Sequence, residues 1–150
     1  MLSWPLAELL PHAGDMILLD SIERCDEERI VTHLQVRSGG LFNQADGSYP
    51  AWLGVELMAQ SIAAYAGVRA KRRGDKIELG FLLGTRKYQC NVARFPLGAQ
   101  LQIEAICSLE DDSGMGVFEC YLRGADIYVE ARLNVYRPPN VASYFQEPQP

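Results

Sequence analysis

The sequence is short of histidine, of paired cysteines, of positive charge and of long apolar runs, and each shortage removes a class of function. Only two histidines, His12 and His33, occur in 150 residues, and the four cysteines, Cys25, Cys90, Cys107 and Cys120, lie far apart. With no C-x-x-C pair there is no spacing for a zinc or redox site, and the cysteines read as reduced, mostly buried thiols. No metal cluster, P-loop or G-x-S-x-G elbow is present, so neither a metal nor a bound cofactor is expected. The longest charge-free stretch of the most apolar region covers 57–68, bounded by Glu56 and Arg69, whereas a bilayer span needs about 20 apolar residues. Lys and Arg number 14 against 19 Asp and Glu, a net charge of -5, which gives no general attraction to nucleic-acid phosphates. The first basic residue, Arg24, follows the opening apolar segment, so a secretory signal with its positive n-region is not expected. These absences lead to a cytoplasmic reading without nucleic-acid or membrane partners.

What is present is the composition of a packed globule, 48% apolar and 22% charged, at the length of one domain. Residues 1–137 read as that domain. Residues 138–150 read as a tail, because Pro138, Pro139, Pro148 and Pro150 break regular pairing. A short helix over 4–10 ends before Pro11. An apolar strand over 16–22, a charged turn over 25–28 and an alternating strand over 30–36 suggest an antiparallel hairpin, with Ile30, Thr32, Leu34 and Val36 on one face. Residues 38–49, with their glycines, Asn43, Asp46 and Ser48, mark a loop long enough to be expected to carry function.

Pro50 opens the only long helical segment, and 52–73 runs through Ala, Leu and Met until Gly74. Its first turns are apolar nearly all round, so protein must cover it on most sides, and a curved sheet is the natural cover. Strands over 76–90, 100–109, 117–122 and 127–135 complete that sheet, the last two joined by a turn at 123–126. The expected architecture is α+β, a six-stranded antiparallel curved sheet wrapped around one long central helix, which is the pattern of the hotdog fold. Hotdog subunits pair edge to edge, so a homodimer is the default.

Glu56 is the only carboxylate between Asp46 and Asp75, set on that apolar helix near its start. A buried carboxylate costs several kcal/mol unless partnered, and one held near neutrality suits a general acid or base. It is the first candidate catalytic residue, and the alternative is a helix-edge Glu bonded to backbone amides or to Gln60 at i+4. His12, in a turn with Gly14, can turn its ring inward as a base or cap the turn, whereas His33 reads as solvated. Asn43, Tyr49, Trp52 and Gln60 are the candidate substrate contacts, and an amide at the helix N-terminus can polarise a carbonyl. Arg69, Lys71, Arg72 and Arg73, with Lys76, form the one local basic cluster. It complements the helix C-terminus or docks an acidic partner.

Three segments resemble the hotdog 3-hydroxyacyl-carrier-protein dehydratases of fatty acid synthesis. Leu10-Pro11-His12 with Leu18-Leu19-Asp20 is similar to that family's L-P-H-x(5)-L-L-D opening. Pro50 through Gln60 is similar to P-G-x(4)-E-x-M-A-Q, which aligns Glu56 with the family's catalytic acid. Lys87-Tyr88, Val92 and Pro96-Leu97-Gly98 are similar to K-F-x(3)-V-x-P-G. The family's loop histidine has Phe42 in its place here. The P-H-x(3)-M-x-L-L-D opening resembles the dehydratase branch of aryl polyene biosynthesis, in which His12 is expected to matter. The resemblance implies dehydration of a 3-hydroxyacyl thioester on acyl carrier protein to a trans-2-enoyl thioester, with Glu56 as acid and His12 as candidate base. It implies the carrier protein as partner and Arg69, Lys71, Arg72 and Arg73 as its docking residues. Two other readings are a non-catalytic hotdog subunit that supports an active sister in a heterodimer, and a thioesterase in which Glu56 activates water.

Overall fold

Between Leu53 and Ala70 the long helix has no fully exposed residue, so everything else in the chain is arranged to cover it. The computed structural model describes residues 4–12, 14–76 and 80–138. In chain order the elements are α1 (Leu6–Leu9), a 3-10 turn (Gly14–Met16), β1 (Ser21–Cys25), β2 (Arg29–Gln35), β3 (Tyr49–Pro50) and α2 (Leu53–Arg72). β4 (Phe81–Cys90), β5 (Arg94–Phe95), β6 (Gln100–Glu110), β7 (Met115–Gly124) and β8 (Ile127–Tyr136) follow. Six strands form one antiparallel sheet in the order β1-β2-β6-β7-β8-β4, and β3 pairs with β5 separately. This is the hotdog arrangement expected from the pattern, a hairpin, then the helix, then a meander. Among the described residues no helix is long and apolar enough to cross a membrane.

Alternation decides which sheet face meets the helix. Ile30, Thr32 and Leu34 of β2 and Leu101, Ile103 and Ala105 of β6 are fully buried, while Val31, His33 and Gln35 lie on the other face at intermediate exposure. The one polar member of the inward set is satisfied across the interface. Ser61 donates to the Leu57 carbonyl at 2.9 Å, so Thr32 donates its hydroxyl to Ser61 Oγ at 2.8 Å, which removes the desolvation cost of both groups. The helix ends at Gly74, whose φ of +74° lets Asp75 N–H reach back to Ala70 O at 2.8 Å and Gly74 N–H to Lys71 O at 3.1 Å.

Four boundaries differ from the sequence expectation. Pro50 does not open the helix. Tyr49 and Pro50 pair with Phe95 and Arg94, and the first helical turn forms only where Gly54 and Val55 donate to Ala51 and Trp52. The apolar run 16–22 is not a strand, because Gln60 takes the Met16 carbonyl and the Leu18 amide that a neighbouring strand would have used; β1 therefore begins at Ser21. Of the strand expected over 76–90, β4 holds 81–90, with register shifts between Leu82 and Gly84 and between Arg86 and Gln89; residues 77–79 lie outside the described residues. So does the expected tail, apart from Pro138. The four thiols are free, but only Cys120 is fully buried and the other three are half-buried. Burial pushes Cys25 up to about 11 and Cys120 up to about 12, well away from thiolate at neutral pH.

The N-terminal segment docks on α2 at Gly67, where a β-carbon would overlap the Leu9 carbonyl oxygen. Leu9 is fully buried against the helix. Because the obstacle is backbone, Gly67→Ala is expected to lower the unfolding free energy by about 1–3 kcal/mol, the range for overpacking. Urea denaturation measures it, and an unchanged midpoint would show that Leu9 does not rest there.

Candidate active site

Two anchors on α2 hold the segment that carries His12. Upstream, Leu9 sits on Gly67; downstream, Gln60 accepts a hydrogen bond from Leu18 N–H at 2.9 Å and donates to Met16 O at 2.6 Å. Between them the chain runs along the helix, and His12 arrives with Nε2 3.2 Å from Oε1 of Glu56, their side chains 23% and 33% exposed. Gln60, itself fully buried, also donates to that Oε1 at 3.1 Å. The two leading candidates from sequence thus stand together within one chain. Nδ1 of His12 is buried and has no hydrogen-bond partner.

The pair lines one end of a cavity of about 490 Å³ that follows α2 toward its C-terminus. Ala59, Ala63 and Ala66 form the helix wall, and Gly116, Phe118 and Val135 stand on the sheet side. These alanines belong to the only stripe of α2 that is incompletely covered. At the far end Arg69 makes a two-pronged ion pair with Glu110 at 2.9 and 3.0 Å and stacks over Tyr65, its guanidinium carbon 5.3 Å from the ring centroid. Tyr65, buried and donating to the Glu27 carbonyl, has its hydroxyl pushed up to about 12 by desolvation. Sequence reasoning did not single out this channel. Its signal was the spacing of Ala59, Ala63, Ala66 and Ala70, four small residues on one helix face where larger apolar ones would pack better.

Of the other candidates, the structure brings none into the cavity lining except Arg69 and Arg73. Asn43 spends its amide within the loop, donating to Arg37 O at 2.8 Å and Gly47 O at 2.7 Å and accepting from Gly40 N–H at 2.8 Å. Tyr49 is buried in the core beside β5, its hydroxyl raised first by that burial and then by Asp20. Trp52 is 61% exposed and meets Phe42 edge to face at 6.4 Å. The residue standing where the family has its histidine therefore packs one helical turn before Glu56 and offers no proton. Gln60 holds Glu56 rather than lining the cavity. In the basic cluster, Arg69 is engaged by Glu110, Arg72 donates to Cys25 O at 3.3 Å, and Arg73 lies 3.8 Å from Asp75. The helix-start amides Gly54 and Val55 are committed to Ala51 and Trp52. No group of three or more potential metal ligands occurs among the described residues.

The loop before α2 is fixed by Asp46. Its carboxylate accepts from the Ser48 hydroxyl and amide and from Arg94 at 2.8 Å, which together bring it down to about 2. Those contacts persist above the usual carboxylate range and are lost only as pH falls toward 2.

The family model described as ApeP dehydratase matches residues 4–146. Among solved structures, the dehydratase heterocomplex ApeI:P from Xenorhabdus doucetiae is similar at 30% identity and a TM-score of 0.86, over 96% of this chain and 99% of that one. More distant likenesses share the fold. A hypothetical thioesterase with coenzyme A from Streptococcus pneumoniae matches at 13% identity and a TM-score of 0.59, over 78% of this chain and 84% of that one. The PaaI protein of E. coli matches at 13% and 0.59, over 78% and 82%. No curated protein matches the chain.

Glu56 sits in the turn of α2 that Tyr88 fixes. Tyr88 donates its hydroxyl to Ala51 O, and a β-carbon at Gly54 would overlap that hydroxyl while lying 3.3 Å from the ring carbon that bears it. Gly54→Ala alone is expected to cost about 1–3 kcal/mol and Tyr88→Phe about 0.5–1.5 kcal/mol. The double variant should cost less than their sum, because removing the hydroxyl makes room for the methyl group. Strict additivity in denaturation would contradict the contact.

Proposed function

The chain belongs to the ApeP-like dehydratase family, and from that membership we propose that it dehydrates a 3-hydroxyacyl thioester on acyl carrier protein to a trans-2-enoyl thioester, in aryl polyene or fatty acid biosynthesis. Glu56 and His12 carry the proton chemistry. The observation that supports this most is their 3.2 Å contact at the end of an alanine-lined cavity of about 490 Å³. The reaction removes the acidic proton beside the thioester carbonyl and protonates the hydroxyl one carbon further on. Two polar groups in reach of one another at the head of an apolar channel suit that task, since the channel takes the acyl chain and the pair meets its functionalised end. The absence of a histidine from the 38–48 loop is no obstacle, because His12 supplies the imidazole from the N-terminal segment.

A second hotdog subunit is the expected partner. The solved relative is a heterocomplex, and in this chain β4 is a sheet edge on which Leu82 and Leu83 are 43% and 56% exposed. An edge with free backbone groups and exposed leucines suits strand pairing with such a subunit. A copy of this chain is the alternative partner.

Glu56→Gln keeps the volume and the contact with Gln60 but removes the titrating group. Turnover of a 3-hydroxyacyl carrier protein should fall by about 10²- to 10⁴-fold, the usual range for an acid-base group, with the melting temperature little changed. A folded variant at full rate would end the assignment.

Carrier docking falls to Lys71, Arg72 and Arg73, since Arg69 is held by Glu110 and Tyr65. Reversing the charge of Arg72 and Arg73 should raise KM for carrier-bound substrate and leave a small thioester analogue unaffected. Equal effects on both substrates would return these residues to a helix-end role.

A further inference from the structure

Two backbone groups outside the Glu56–His12 pair decide where its protons sit. The Leu18 amide can only donate and the Met16 carbonyl can only accept, so the Gln60 side chain between them has one allowed orientation, oxygen toward Leu18 and nitrogen toward Met16. The second N–H of that nitrogen then points at Oε1 of Glu56, 3.1 Å away. Oε1 is therefore an acceptor, and any proton on Glu56 resides on Oε2, which has no hydrogen-bond partner among the described residues. Nε2 of His12 faces the same Oε1 at 3.2 Å. A bare nitrogen lone pair there would oppose an oxygen lone pair, whereas an N–H is attracted to it. The far side of the ring agrees: Nδ1 is buried without a partner, and an unpaired lone pair is tolerated in a protein interior more readily than an N–H with no acceptor.

We propose that Gln60 is a positioning residue that, through Glu56, holds neutral His12 as its Nε2–H tautomer, making His12 the hydrogen-bond donor of the site and Glu56 its single proton carrier. The proposal rests on the dehydration reading and reverses the division of labour that the family resemblance implies. In the reaction the Cα–H bond breaks and its proton passes to Oε2, while the electron pair left behind forms the Cα=Cβ double bond. The Cβ–O bond breaks with its pair staying on oxygen, which takes the proton back from Oε2 and leaves as water. Glu56 ends as the carboxylate it began as, and His12 starts and finishes neutral.

The test is nitrogen-15 NMR of the imidazoles in the full chain at pH 8, with a His33→Asn variant to assign the two rings. The Nε2–H tautomer is expected for His12; a predominant Nδ1–H tautomer, or an even mixture, overturns the proposal. Kinetics give a second arm. Gln at position 12 can place an N–H where Nε2 stands but cannot act as a base, so His12→Gln should stay within about tenfold of the natural enzyme while His12→Ala loses about 10²-fold. Equal loss in both, with both folded by circular dichroism, makes His12 a base and overturns the proposal. A chain that shows the Nε2–H tautomer yet dehydrates no acyl thioester overturns the dehydration reading instead.

Discussion

A twenty-residue helix that must be covered on nearly every side sets the terms for the rest of this molecule. Backbone groups inside α2 are paired with one another, but its side chains are too apolar to face water, so the sheet has to curl and the N-terminal segment has to lie across the helix. The sheet lies over α2 mainly through β2, β6 and β7, with fewer contacts to β8 and β4. The stripe left incompletely covered is the one that carries Glu56 and the alanines. The site is thus the gap in the covering, and it exists because small residues occupy that stripe.

Much of this was legible in the sequence, for physical reasons that differ by element. Alternation in 30–36 and 100–109 reported the buried face of β2 and β6 directly, because a side-chain period of two leaves no other face to bury. The length and apolarity of 53–70 reported the helix. Glu56 stood out because a lone carboxylate on such a helix needs a partner. The 16–22 run misled for an equally physical reason. Its composition is that of a strand, but the backbone hydrogen bonds that define a strand are taken by a side chain 44 residues away, and no local pattern reports that. Pro50 misled because its fixed φ suits a first helical turn and an extended pair alike. The β3–β5 pair, two residues on each side, is too short to leave a periodic trace.

The 38–48 loop attracted attention as polar and glycine-rich, and its polar groups turn out to be consumed in holding it still. Asn43 bonds three backbone groups of that segment, and Asp46 ties Ser48 to Arg94 of β5. A loop so internally satisfied has nothing left to offer a substrate. Its contribution is steric: Phe42 and Trp52 stand together beside the first turn of α2, close to the carboxylate without competing for its proton.

The docking of Leu9 on Gly67 also has a consequence for how the protein ages and fails. One half of the dyad comes from the first dozen residues of the chain, tethered by a four-residue helix and a few contacts, while the other half lies on the most deeply embedded element. Chain ends open locally at far lower free energy than a core helix. Catalytic competence is therefore governed by a small sub-global opening rather than by global unfolding. Warming, mild denaturant or a protease would silence such an enzyme while its sheet and central helix remained intact, and folding would restore it last, once α2 is in place to receive the N-terminus.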